Sequence, residues 1–200
     1  MYLSPILHEF LPFPLQVGLL SMRHMLHRTC SGAGKQRTAV SLALVLSVHS
    51  ACAMDEEAAV RTQLNNWVVL EETHYFNSKR DCTAGFFATG ATQVLSGASK
   101  VRTSAQGLRQ LGQGRAVAFD VAETSSADTQ EEIDQLDHSV GLAILASGLA
   151  ARTCFTPELE SAFAETLSSD GAVLIYDPRN HALALFDGAR KRVFYTRGEL

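Results

Sequence analysis

The sequence lacks the compositional extremes of fibrous, disordered and disulfide-built chains. Its 200 residues contain five prolines, 14 glycines and four cysteines, which excludes a collagen-like chain, a disordered chain and a mini-protein held together mainly by disulfides. An excess of positive charge is also absent, because the formal net charge is −4. Binding of nucleic acid or anionic lipid by bulk electrostatic attraction is therefore not expected. The hydrophobic content of 46% predicts one globular domain with a packed core.

Charge is unevenly distributed along the chain. Residues 1–53 contain four basic residues and one acidic residue, a net charge of +3, whereas residues 54–200 contain 13 basic and 20 acidic residues, a net charge of −7. An uncharged apolar run, Ala39–Val48, follows the basic stretch and precedes the small residues of Ser50–Ala53. This order is typical of a secretory signal peptide. The apolar run has ten residues, and crossing a bilayer takes about 20.

The start of the signal peptide is predicted at Met22 or Met25, because a signal peptide begins close to the start of translation. Residues 1–21 are then an upstream extension assigned to the chain in error, and residues 22–53 are the signal peptide. Residues 54–200 form the mature protein, a single domain of about 147 residues, which is close to the commonest domain size.

Two interpretations of the cleavage region remain open. Ala51-Cys52-Ala53 has the small-x-small pattern that precedes a cut before Met54 and would release a soluble domain. Ser50-Ala51-Cys52 resembles the end of a bacterial lipobox, in which Cys52 would carry lipid. A lipobox has an aliphatic residue three positions before the cysteine, where this chain has His49. Soluble export is favoured, and a lipid on Cys52 is the one membrane attachment predicted.

Two cysteines, Cys82 and Cys154, remain in the predicted mature domain. An even number of cysteines in an exported domain predicts a disulfide between them. The alternatives are two separate buried thiols or a metal pair, but neither cysteine has a Cys-x-x-Cys partner or a nearby histidine. Closing a loop of roughly 70 residues would stabilise the domain by about 4 kcal/mol.

The first part of the mature domain has the patterns of short helices and strands. Acidic residues lead a helical apolar pattern, and two strand-like runs flank a polar turn, which predicts a β-hairpin. The predicted elements are, in order, a helix at 55–66, strands at 73–76 and 82–89, a short helix capped by Ser104, and a strand at 115–121. Residues 90–103 fit neither period and are left without a prediction.

The second part is predicted to contain two helices and a three-stranded meander. Apolar positions repeat at helical spacing from Thr129 to Ala151, with a solvated acidic first half and a buried second half. Thr156-Pro157-Glu158 is a typical helix start. Turn sequences join the last three β-rich runs, which are Ala172–Tyr176, His181–Phe186 and Arg192–Thr196. The predicted fold class is α+β, a single domain with an antiparallel sheet that ends in this meander and helices packed on one face. No internal repeat is evident.

Candidate chemistry is sparse in the mature domain. Glu72 and His74 alternate onto one face of a predicted strand, but two ligands are too few for a metal site. Asp134 and His138 lie four apart on a helix, where a surface pair is favoured over half a metal site. His181 follows a turn and is expected to face solvent. Since no nucleophile elbow, zinc-protease helix or Cys-His motif is present, no catalytic residue, metal ligand or cofactor is predicted.

One basic and aromatic stretch runs from Arg190 to Arg197. Such interleaving can bind single-stranded nucleic acid or another polyanion. The acidic charge of the domain and its predicted export instead favour a solvated strand edge, so no nucleic-acid partner is predicted.

Three segments carry a resemblance to a known family. They are Glu72–Phe76, Ser78–Gly85 and Arg192–Gly198. On the basis of these segments, residues 67–200 resemble a family of small, uncharacterised exported proteins and lipoproteins of Gram-negative bacteria. The family has no assigned activity, so the resemblance implies an envelope location and a compact domain but transfers no catalytic residue.

These inferences predict an exported protein of the bacterial cell envelope that acts as a non-enzymatic binding or interaction module. Its partner would be an unidentified envelope protein or a small ligand. The alternative is a small periplasmic hydrolase or metal-dependent enzyme. That alternative requires Glu72, His74, His138 and residues next to the cysteines, such as Asp81, to converge in one pocket.

Overall fold

The structure is a computed structural model, and it describes residues 54–198. The predictions for the upstream extension, the signal peptide, the cleavage site and a lipid on Cys52 lie outside these residues. Within them the chain forms five α-helices, one short 3₁₀-helix at Ala151–Thr153 and seven strands. The helices are α1 (Glu57–Leu64), α2 (Ser104–Leu111), α3 (Ser126–Leu136), α4 (His138–Ala150) and α5 (Pro157–Leu167). The strands are β1 (Thr73–Ser78), β2 (Cys82–Ala88), β3 (Ser99–Val101), β4 (Val117–Phe119), β5 (Val173–Asp177), β6 (Ala182–Asp187) and β7 (Arg192–Gly198).

One sheet contains all seven of these strands, in the order β1-β2-β7-β6-β5-β4-β3. Neighbouring strands are antiparallel, except that β3 and β4 are parallel. The predicted α+β class, the β1–β2 hairpin and the C-terminal β5–β7 meander are confirmed. Strand β3 lies in the stretch left without a prediction, because three residues are too few to show a period of two.

Strand β7 is central in the sheet, so the prediction of a solvated strand edge is wrong. It pairs with β2 on one side and with β6 on the other. Phe194 and Tyr195 are buried on opposite faces of the sheet. The β7–β2 pairing joins residues more than 100 positions apart, and such non-local pairing leaves no local signal in the sequence.

Side chains alternate between two cores on opposite faces of the sheet. On one face Val60, Leu64 and Trp67, from α1 and the segment after it, pack against the strands. The other face packs against α2, α3, α4 and α5. Four helices therefore share one face, as predicted, and α1 adds a layer on the opposite face.

The single helix predicted from Thr129 to Ala151 is two helices, α3 and α4, separated at Asp137. Asp137 has an extended backbone, with φ −148° and ψ 96°. Its carboxylate accepts hydrogen bonds from the backbone N–H groups of Ser139 at 3.1 Å and Val140 at 3.2 Å. The residue thus ends one helix and caps the next. A Cβ at Gly141 would lie 2.4 Å from the Asp134 Cα, so the glycine permits the close approach of α4 to α3.

The two meander turns resemble each other, and they form a short repeat that was not predicted. Asp177 and Asp187 are buried, and each carboxylate accepts a backbone N–H bond within its own turn, at 3.0 Å and 2.9 Å. His181 and Lys191 end the turns with φ of 48° and 54°. Asp177 and Asp187 lie ten positions apart because the four turn residues 178–181 and the six residues of β6 follow Asp177.

Candidate functional site

The residues that would form the alternative enzyme site are not brought together. Glu72 and Asp81 lie at opposite ends of the β1–β2 hairpin, since Glu72 pairs with Ala88 and Asp81 lies in the turn before β2. His74 is exposed, and its ring packs on that of Phe86 with centroids 5.3 Å apart. These positions leave no shared pocket for Glu72, His74 and Asp81.

The remaining histidines of the described domain are on its surface. His138 Nδ1 lies 2.9 Å from Asp134 Oδ1, and both residues are at the junction of α3 and α4. His181 is exposed in the first meander turn. Among residues 54–198, no three or more His, Cys, Asp or Glu side chains are placed to hold a metal ion.

Asp81 lines a polar cavity at the start of β2, with Lys79 and Arg80. In the same cavity Asp55 pairs with Arg197 and accepts a hydrogen bond from the Thr83 hydroxyl at 2.6 Å. Asp55 and Arg197 therefore neutralise each other within the domain.

The basic and aromatic stretch of β7 is also used within the domain. Arg190 donates to Asp187 at 3.0 Å, and the Arg192 Nε donates to the same carboxylate at 3.3 Å. Burial by itself would raise the pKa of Asp187, but hydrogen bonds from the backbone and side chain of Arg190 and both guanidinium charges lower that pKa overall. With Phe194 and Tyr195 buried, the stretch forms no continuous exposed surface.

The predicted disulfide between Cys82 and Cys154 is present, with Cα atoms 6.1 Å apart. It joins β2 to the segment that follows α4. The carbonyl of Cys154 also accepts hydrogen bonds from the Tyr75 hydroxyl and, at 3.0 Å, from the side chain of Asn77. The segment that follows α4 is therefore fixed to the β1–β2 hairpin by the disulfide and by hydrogen bonds, which include one from the Lys79 Nζ to the Thr153 carbonyl at 2.6 Å.

Helix α4 exposes an apolar outer face. No charged residue occurs from Ser139 to Ala151. The outer face, called the leucine face below, consists of Leu142, Leu145 and Leu149, which are 47%, 42% and 40% exposed. The inner face consists of Gly141, Ile144 and Ser147, which are buried. The prediction that this half of the segment is buried is thus correct for one side of the helix only.

A cleft between α4 and α5 continues the leucine face into the domain. It encloses about 210 Å³, and Leu145 and Leu149 form part of its wall. Its other apolar lining residues include Ile144, Phe163, Leu167, Leu174 and Leu183. At one end of the cleft, the Arg152 Nε lies 2.5 Å from Glu160 Oε1. The cleft and the leucine face form one apolar surface with a charged rim.

This surface was not predicted, although the sequence contains a signal for it. A helix on the surface of a domain normally has charged or polar residues on its solvent side. The 13 residues from Ser139 to Ala151 provide no charge for that side. This surface can bind apolar groups of a partner. Such groups leave water when they enter the cleft, and their transfer out of water is favourable.

Comparisons of the chain with protein-family models, with curated proteins and with solved structures found no match. Within residues 54–198, none of the helices has both the length and the apolar character needed to span a membrane. The geometry of the leucine face and of the adjoining cleft is therefore the basis for a functional proposal.

Proposed function

We propose that this chain is an exported protein of the bacterial cell envelope and acts there as a non-enzymatic binding module. Its binding surface is the leucine face of α4 together with the α4–α5 cleft. The observation that carries the proposal is the exposure of three leucines on a helix without charged residues.

Covering this surface would contribute favourably to the free energy of binding. Full burial of one leucine side chain contributes about 1.5–3 kcal/mol. Three partly exposed leucines beside an open apolar cleft form the kind of contiguous patch that marks an interaction site on a soluble domain. Because these leucines are already more than half buried, a partner that covered them would gain somewhat less than half of this energy for each one, without having to remove charged side chains of α4 from water.

Export is supported by the disulfide and by the sequence. A disulfide such as Cys82–Cys154 persists in oxidising compartments and is rare in the bacterial cytosol. The basic, apolar and small-residue regions of residues 22–53 favour secretion. The resemblance to exported proteins and lipoproteins of Gram-negative bacteria agrees with the same location. We do not propose the alternative hydrolase or metal-dependent enzyme, because its residues lie apart.

Photo-crosslinking in the producing bacterium tests the binding function. The crosslinking residue p-benzoylphenylalanine replaces Leu145 in one strain and Leu95 in the other. Leu95 is a matched control, because it is a leucine with 39% exposure and lies beside Trp67 on the opposite face of the sheet. We expect one discrete crosslinked product from position 145, identified by mass spectrometry, and none from position 95.

Equal or absent crosslinking from both positions would contradict the binding function. The intact mass of the same protein, purified from the envelope, tests export separately. We expect a chain that begins at or immediately before Met54, with or without lipid on Cys52. A mass that still includes Ala39–Val48 would contradict export.

A further inference from the structure

We propose that the partner on the leucine face is a second copy of this chain, with the α4 helices of the two copies packed antiparallel around a two-fold axis. This inference rests on the proposed binding function of the same surface and names its partner. Three features of α4 and its neighbours support it.

The first feature is the spacing of the leucines. Positions 142, 145 and 149 recur at intervals of three and four and share one side of the helix. If the axis passes between positions 145 and 146, Leu142 of each copy lies opposite Leu149 of the other. Leu145 then lies opposite the smaller Ala146, which leaves room for its side chain. Every contact occurs twice, as a two-fold interface requires.

The second feature is the charge at the two ends of α4. Exposed Asp137 and partly exposed Asp134 lie at its N-terminal end, and exposed Arg152, which also pairs with Glu160 of its own chain, follows its C-terminal end. Antiparallel pairing brings Arg152 of each copy towards the acidic end of the other. Parallel pairing would instead bring the two arginines together. Since α4 has no charge in between, self-pairing buries no unpaired charged group.

The third feature is the position of the cleft. Leu149 is part of its wall, and in the antiparallel register the partner's Leu142 lies opposite Leu149. The incoming leucine therefore reaches the mouth of the cleft. Both copies offer the same cleft to the other, so the interface extends beyond α4 to the neighbouring surface of α5.

The charge around α4 favours a protein over a bilayer as the occupant. Helices that lie on a membrane usually carry Lys or Arg beside their apolar face. Here α4 starts next to Asp134 and Asp137, and residues 54–200 have a net charge of −7. An anionic membrane surface would repel this part of the domain.

Sedimentation equilibrium of the full protein purified from the envelope, with its disulfide intact, tests the inference. We expect the wild type to have twice the mass of one chain and Leu145→Glu to have the mass of one chain. Leu95→Glu, the matched control, should keep the doubled mass. Circular dichroism and thermal unfolding of each variant establish that it is folded. A wild type that sediments as a single chain at all concentrations would overturn the inference.

Cysteine crosslinking tests the antiparallel register. Leu142→Cys and Leu149→Cys are made in a Cys30→Ser, Cys52→Ser background, so that the new thiol is the one available for crosslinking. We expect an interchain disulfide when the two variants are mixed and oxidised, and little from either alone. In the antiparallel register, position 142 of one copy is offset by seven helical residues, about 10 Å, from position 142 of the other. The same holds for position 149, and this distance is too long for a disulfide. Efficient crosslinking of each variant with itself would overturn the antiparallel arrangement.

These tests separate failure of the inference from failure of the proposed function. If the photo-crosslinker at position 145 captures a different protein and the purified chain sediments as a single copy, the second-copy inference is overturned and the binding function stands. Vesicles of phosphatidylglycerol provide the membrane test. Binding to them that Leu145→Glu abolishes, with a single-copy mass for the wild type, would also overturn the inference.

Discussion

Helices α3 and α4 are adjacent in the chain, with Asp137 alone between them, yet they differ on their outer faces. Both pack an isoleucine into the same core, since Ile133 is 0% exposed and Ile144 is 1% exposed. The solvent side of α3 has the acidic residues Glu131 and Glu132 and one exposed leucine, Leu136, at its end, whereas that of α4 is the uncharged leucine face.

This difference separates the requirements of folding from those of binding. Burial of one isoleucine per helix attaches both helices to the sheet, and α3 achieves this with a charged outer face. The exposed leucines of α4 are therefore not needed for packing against the sheet. Their position on a solvent-facing side is what an interaction surface requires.

The largest expected effect concerns the attachment of α4. The disulfide fixes its C-terminal end to β2. We expect the double variant Cys82→Ala, Cys154→Ala to lose about 4 kcal/mol of unfolding free energy, because a loop of this length is no longer closed in the unfolded chain. Urea unfolding of the wild type and of the double variant measures the loss. An unaltered midpoint in the double variant would contradict a stabilising role for the disulfide.

The inner faces of the two helices should respond alike to truncation. We expect Ile133→Ala and Ile144→Ala each to lower the unfolding free energy by about 3 kcal/mol, since both leave a cavity in the same core. Denaturant unfolding of the two variants side by side measures the effect. A loss of unfolding free energy in only one of the two variants would show that the inner faces of α3 and α4 are not equivalent.

A smaller effect is expected where the two helices meet. Asp137→Ala removes the side chain that caps α4 and should cost about 1 kcal/mol, whereas Asp137→Asn keeps a good cap and should retain most of that stability. Thermal unfolding of both variants provides the measurement. If Asp137→Ala stabilised the protein, the result would contradict the capping role of Asp137 and favour a continuous helix through position 137.

The smallest effect on the fold itself is expected at the outer face of α4. Leu145→Glu should change the unfolding free energy of the single folded chain by no more than about 0.5 kcal/mol. The melting temperature of the wild type should nevertheless rise with protein concentration, because association stabilises the folded state, and that of Leu145→Glu should not. Scans over a hundredfold range of concentration measure this. A strong loss of stability at low concentration would show that Leu145 serves the fold.

Local patterns in the sequence predict much of the fold. The hairpin, the meander and the start of α5 depend on turn and capping residues close to the elements they define, such as Thr156, whose hydroxyl accepts the Leu159 N–H. The break at Asp137 was not predicted, because helical spacing of apolar residues continues across it. The central position of β7 and the layer formed by α1 depend on non-local packing, which local periodicity does not encode.

The candidate site could be predicted less well than the fold. The pairing of Cys82 with Cys154 follows from counting cysteines in an exported domain. The position of the leucine face cannot be predicted from the spacing of apolar residues. Such residues occur on every side of α4, so no pattern distinguishes the side that packs against the sheet. Packing of Ile144 against the sheet decides that side. The cleft requires the positions of both α4 and α5, which lie in separate segments.

The proposed function requires the leucine face to be covered by a partner in the bacterial envelope, and thiol accessibility measured there tests this requirement. Leu145→Cys and Leu95→Cys, each in the Cys30→Ser, Cys52→Ser background, are labelled with a small hydrophilic maleimide in the envelope fraction. Both leucines have similar exposure in the isolated domain. We predict slow labelling at position 145 and rapid labelling at position 95, with equal rates after the protein is purified and diluted. Equal rates already in the envelope would contradict the claim.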